Sequence, residues 1–144
     1  GDEPADRVDE RALTESEQPW KIAYFHHPLY GNAKRHGSTV DIRVLLEPLL
    51  VKYGIAVVFT GHDHVYERLK PQKGVHYFVT GSGGQLRKGD LVPSETTAAG
   101  FDQDQAFMIV EVDADTLFFQ TISRTGATVD AGTIPRRLRH DGTR

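Results

Sequence analysis

The sequence predicts an α/β fold, in which one βαβ unit is followed by a β-rich segment. Three observations predict it. Two short apolar runs, Lys21-Ile22-Ala23-Tyr24-Phe25 and Ile55-Ala56-Val57-Val58-Phe59-Thr60, have strand length. Between them lies a stretch with helical spacing. After them come four more strand-like runs. The 144 residues give room for one domain with one sizeable core, and 38% hydrophobic with 26% charged residues is the balance of a globular chain.

Residues 1–19 are charged and polar and read as a lead-in that is partly helical or disordered, with Val8, Ala12 and Leu13 as one weak helical face. The domain body runs from 20 to 135. Its first strand, ending at Phe25, reads as buried and stops in a His-Pro turn. A loop from Tyr30 to Gly37 leads to a helix over 39–53, with Val40, Val44, Leu45, Leu49 and Leu50 on one side. Thr39 or Ser38 serves as its cap, Pro48 should kink it, and Gly54 ends it. Residues 55–60 form a continuous apolar strand of the kind covered on both faces. A βαβ unit makes the two strands parallel, with their C-terminal ends on one edge. Open α/β sheets bind their ligands at that edge.

The strand-like runs of the second half are Val65–Leu69, Val75–Thr80, Gln105–Asp113 and Thr116–Ser123, the last two joined by a tight Asp113-Ala114-Asp115 turn. Gly81 to Asp104 is Gly-rich and polar and reads as a surface loop. Residues 136–144 read as a loosely held basic tail.

Several function classes are excluded. A net charge of −3 supplies no basic field for nucleic acid, and no apolar run approaches the length of a membrane span. The absence of cysteine removes disulfides, thiolate metal sites and a cysteine nucleophile. Gly81-Ser82-Gly83-Gly84 fails as a dinucleotide fingerprint at Leu86, and the P-loop spacing from Gly84 to Gly89 is followed by Asp90 instead of lysine. The start, Gly1-Asp2-Glu3-Pro4, carries neither an initiator methionine nor an apolar signal core, so the chain reads as a piece of a longer polypeptide.

The chemistry is concentrated in histidines, of which there are seven. Gly61-His62-Asp63-His64 follows a buried strand directly. Two imidazoles one residue apart can aim the same way, and neutral imidazole is a ligand for zinc, iron or manganese. His26 and His27 end the other parallel strand, just before Pro28. Strand alternation points them to opposite sides, so at most one faces His62 and His64, and the pattern alone does not choose between them. His36, in the polar loop before Gly37, can bind phosphate or donate a proton to a leaving group. His76 reads as structural and His140 as solvated.

Tyr24-Phe25-His26-His27-Pro28-Leu29-Tyr30, then His36-Gly37, then Gly61-His62-Asp63-His64-Val65-Tyr66-Glu67-Arg68, together resemble the C-terminal half of calcineurin-like metallophosphoesterases. Within them the pattern is most similar to the purple acid phosphatases, including the tartrate-resistant type. The resemblance covers about residues 20 to 85. It implies half of an αββα sandwich and a pair of divalent or trivalent ions, iron, zinc or manganese, at the strand ends. It implies His26, two residues before the proline, as a ligand with His62 on one ion, and His64 on the other. His36 would stand near the phosphate of a phosphomonoester substrate. The family also leans to secreted or periplasmic locations.

The acidic motifs of that family, which supply the bridging carboxylate, do not stand before the histidines, where family order needs them. Gly89-Asp90-Leu91-Val92 imitates one of them but lacks its tyrosine and lies on the wrong side. Two cations held close together need that negative charge, so this chain alone is expected to catalyse poorly. The partner implied is the missing N-terminal half of the domain, and a homo-oligomer of the fragment could cover the same face. The alternative readings are a non-catalytic remnant or interaction module, and a simple metal-binding domain using His26, His62 and His64.

Overall fold

The computed structural model describes residues 10–137. A short helix, α1 (Glu10–Glu15), precedes strand β1 (Ile22–Phe25), helix α2 (Val40–Lys52) and strand β2 (Val57–Thr60). Six strands follow: β3 (Tyr66–Leu69), β4 (His76–Thr80), β5 (Thr97–Phe101), β6 (Ala106–Asp113), β7 (Thr116–Ser123) and β8 (Thr128–Pro135). The first five strands form a mixed sheet in the order β1-β2-β4-β3-β5, and β6-β7-β8 form an antiparallel sheet. The expected βαβ unit is present: β1 and β2 are parallel, with Phe25 opposite Thr60 at their C-terminal ends.

Alternation along the strands sorts the core into two layers. Val58, Tyr77 and Val79 pack with Leu50 and Ile55 on the α2 side. Val57, Tyr66 and Phe78 pack on the other side against Leu117, Phe119 and Ile134 of the second sheet. The sheets are also fastened by polar contacts. Asp130 on β8 accepts hydrogen bonds from the Tyr66 hydroxyl at 2.7 Å and from Arg68 Nε at 2.8 Å.

Helix α2 stops as expected. Gly54 takes a φ of +69°, its N–H bonds the Val51 carbonyl, and the Ile55 N–H reaches back to Leu50. This pair of bonds is the Schellman arrangement, and Leu50 and Ile55 make the apolar contact that accompanies it. Thr39 is the N-cap but makes no side-chain capping bond. The inward face of α2 differs from the expected one. Val40, Val44 and Leu45 are exposed, whereas Ile42, Leu46 and Leu50 touch the core at four-residue spacing. A polar contact turns the helix this way. Glu47 is buried, accepting from the Tyr30 hydroxyl and from Lys73 Nζ at 2.7 Å.

Other expectations are corrected. β1 is not buried: it is the edge strand, and Tyr24 is 85% exposed with Ile22 beside it on the same open face. The Gly81–Asp104 segment is not all loop. It contains β5, whose Thr-Ala-Ala-Gly-Phe has no apolar alternation to betray it and which pairs to the free edge of β3. β8 also escapes the apolar pattern, since it carries Asp130, Gly132 and Thr133. The start of the basic tail is held: the Arg136 N–H bonds the Asp115 carbonyl at 2.8 Å, and Arg137 reaches the carbonyls of Ile55 and Lys73. The rest of the tail, with His140, and residues 1–9 of the lead-in lie outside the described residues.

His76, on β4, shares the inter-sheet face with Phe78. Burial, and secondarily the Arg68 guanidinium, hold its pKa below the usual histidine value. The folded chain therefore binds this proton less readily than the unfolded chain. Stability from this source falls as pH drops through about 6.5, the unfolded value. We expect urea midpoints to decline between about pH 7.5 and 5.5, and His76→Gln to decline less over that window. Equal slopes would remove His76 as a source.

Candidate metal centre

The two parallel strands deliver their chain ends side by side. One residue past the ladder, the Gly61 N–H donates to the His26 carbonyl at 3.1 Å. The chain then turns sharply: the Asp63 N–H returns to the Gly61 carbonyl at 2.7 Å, with His62 between them at a φ of +64°. A three-residue turn with positive φ at its centre is a rare and strained form, and costs about 1–2 kcal/mol for a non-glycine residue. Such strain collects at functional positions. Here it swings the His62 ring over the end of β1.

The result is a cluster of imidazoles. His26 Nε2 lies 2.9 Å from His62 Nδ1. Ring centroids separate His62 from His36 by 4.2 Å, from His27 by 4.4 Å and from His26 by 4.8 Å. Burial first, then the neighbouring His36, His27, His26 and His64, hold the His62 pKa below its ordinary value. A neutral ring offers a lone pair, as metal ligation requires.

The loop bearing His36 is held from below by carboxylates. Glu67, fully buried on β3, accepts from the Asn32 N–H at 2.8 Å, from Asn32 Nδ2 at 2.6 Å and from the Thr97 hydroxyl at 2.7 Å. Asp63, 1% exposed, accepts from the Gly37 N–H at 3.2 Å. Burial raises the Asp63 pKa, and one of its carboxylate oxygens has no partner among the described residues. Ser38 Oγ closes the loop on itself through both the N–H and the carbonyl of Gly31. Two segments also pair: Lys34 N–H with the Asp90 carbonyl and Val92 N–H with the Asn32 carbonyl.

Of the residues singled out from sequence, the structure brings His26, His62 and His36 together. It also brings in His27, against the expectation that it points away, because the chain leaves strand geometry after Phe25 and alternation ends there. His64 does not join the closest group. Its Nδ1 is buried without a hydrogen-bond partner among the described residues. Asn32, Asp63 and Glu67 were not singled out. Asp63 and Glu67 stand inside the motif run from Gly61 to Arg68, which was the one signal that could have drawn attention to them.

The histidine pair fits a metal ion. Its 2.9 Å separation lies about 0.5 Å inside the roughly 3.4 Å between two nitrogens on a tetrahedral zinc-class ion, so a small opening of the pair seats one ion. The ligand nitrogens of His26, His27 and His62 lie within 4.8 Å of one another, and among the described residues no carboxylate joins them. The buried Nδ1 of His64 lacks a hydrogen-bond partner among the described residues.

Residues 2–66 match the family described as Calcineurin-like phosphoesterase. Human tartrate-resistant acid phosphatase type 5 is 26% identical over 136 residues, which cover 90% of this chain and 42% of that protein. Purple acid phosphatase 21 of Arabidopsis thaliana is 36% identical over 86 residues, covering 54% of this chain and 20% of its own length. The chain thus spans less than half the length of these relatives. Among solved structures, GAP50, the anchor in the inner membrane complex of Plasmodium, superposes with a TM-score of 0.79 at 16% identity, over 90% of this chain and 40% of that one, a likeness of fold.

Gly81, where β4 ends, faces the histidine turn at close range: a Cβ there would land on the Asp63 carbonyl oxygen. The obstacle is backbone, so it cannot swing aside. Gly81→Ala is expected to cost about 1–3 kcal/mol, the range for overpacking, and to displace the His62–His64 turn. Unaltered denaturation midpoints and histidine ring shifts in this variant would show that the turn is not clamped there.

Proposed function

We propose, for a chain whose residues 2–66 match the calcineurin-like phosphoesterases and which has purple acid phosphatases as relatives, that it is the C-terminal part of a metal-dependent phosphoesterase carrying the histidine half of a dinuclear site. The observation that carries this reading is the 2.9 Å approach of His26 Nε2 to His62 Nδ1 at the C-terminal ends of two parallel strands. In this reading His26 and His62 hold one ion and His64 the other. A bound ion pair would supply charge neutralisation at the phosphoryl oxygens and an acidified water. His26 and His62 would each present a bare nitrogen, with the ring proton on the opposite one. His36, exposed at the rim and fixed through Asn32 and Gly37, would bind the substrate phosphate or donate its proton to the departing alkoxide.

The missing acidic ligands would come from an N-terminal part of the domain. Open apolar surface supports a partner of this kind. Ile22 of β1, with Val110 and Val112 of β6, is exposed, as are Phe107, Ile109 and Phe118 on the other face of the second sheet. Exposed apolar side chains in such number suit a covering partner. Without that partner the fragment would cover the surface by self-association, read by light scattering as a species larger than one chain.

One observation favours a second reading, a remnant that keeps the fold without the ion pair: the closest donor group among the described residues is imidazole alone. Phosphate ester hydrolysis by the longer parent protein with added metal separates the two. The catalytic reading expects His62→Ala and His64→Ala to remove nearly all activity. It expects His36→Ala to lower kcat by about 10²–10⁴-fold on an alkyl phosphate, and by less on p-nitrophenyl phosphate, whose leaving group needs no proton. Activity that survives His62→Ala and His64→Ala would sink the assignment, and an inert parent would favour the remnant.

A further inference from the structure

The family pattern leaves His27 without a task, yet the fold places it in the cluster. Its ring centroid is 4.4 Å from that of His62 and 4.9 Å from that of His26, and its ligand nitrogen belongs to the one group of metal-competent donors among the described residues. Pro28 and Leu29 are buried, and the Pro28 carbonyl accepts from the Thr39 N–H at 2.8 Å, so the backbone that carries His27 is anchored at the mouth of α2. No hydrogen bond among the described residues ties the His27 ring elsewhere.

We infer that His27 joins His26 and His62 in a three-imidazole site that takes a single zinc-class divalent ion on this chain, with His64 outside it. This rests on reading the histidine edge as a metal site, and it adds His27 to the ion that His26 and His62 hold. Nitrogens on one ion at about 2.1 Å stand about 3.4 Å apart in tetrahedral geometry and at most about 4.2 Å apart. His26 and His62 already meet that limit, while the group as a whole spans up to 4.8 Å. Seating all three on one tetrahedral ion requires the His26–His62 pair to open by about 0.5 Å and the half-buried His27 ring to close by up to about 1.4 Å, which rotation about side-chain torsions supplies. His64 is worse placed, since its ligand atoms fall outside the group and its Nδ1 is enclosed. Three neutral ligands leave the ion's full positive charge and a fourth position open, suited to water or an anion.

Titration of the metal-free chain with zinc alone, followed by calorimetry, tests this. One equivalent should bind the wild-type chain. His27→Ala should weaken that step by at least about tenfold, as should His26→Ala and His62→Ala, whereas His64→Ala should leave it unchanged. Visible absorption of the cobalt-loaded chain gives a second readout, because losing one of three nitrogens changes the band even where affinity shifts little. His27→Gln, which keeps a polar side chain of similar size, guards against misfolding and should behave as His27→Ala does. If His64→Ala weakens binding and His27→Ala does not, this inference fails while the histidine half-site stands. If His26→Ala and His62→Ala bind zinc like the wild type, the half-site itself fails. A wild-type chain that binds no zinc overturns the inference as well.

Discussion

The hydrogen bond from the Gly61 N–H to the His26 carbonyl fixes the geometry on which the histidine edge depends. It carries the parallel register of β1 and β2 one step beyond the strands. That register pairs Ile22 with Val57 through to Phe25 with Thr60. With that bond in place, the two histidine-bearing turns start at neighbouring points. The strained backbone at His62 then closes the remaining distance. Rigidity beneath the turn comes from Gly81, which admits the Asp63 carbonyl where any side chain would exclude it.

Strand β3 connects this edge to the rest of the molecule through ordinary alternation. Tyr66 and Arg68 point to the second sheet and share Asp130. Glu67 points to the opposite face and holds Asn32 and Thr97. A single Tyr-Glu-Arg run therefore fastens the two sheets with one face and the His36 loop with the other. Glu67 is fully buried yet carries three donors, which is the condition under which a buried carboxylate is tolerated.

Much of this was legible in the sequence, for physical reasons that differ by element. The βαβ unit could be read because β2 is a solid apolar run and Gly54 is a strong helix stop. That His26 or His27 would meet His62 followed from histidines at the ends of parallel strands, and the choice of His26 came from the family resemblance. The inward face of α2 was misread because its outer side is as apolar as its inner one, and the buried Glu47 decides the rotation through Tyr30 and Lys73. β5 and β8 were missed because edge strands of small and polar residues carry no hydrophobic period. His27 was misjudged because alternation holds only while the chain is a strand, and it ends at Phe25. Asn32 and Asp63 act through single contacts with backbone or buried groups, which no periodicity announces.

The central claim is that the protein scaffold itself brings the His26 and His62 rings together. Long-range proton–nitrogen correlation of the histidine rings in the metal-free chain, near neutral pH, tests it most directly. The account predicts one fixed tautomer at each of these two rings, joined by a single imidazole–imidazole hydrogen bond with coupling between His26 Nε2 and His62 Nδ1. Rings that exchange freely between tautomers, like that of a solvated histidine, would contradict it.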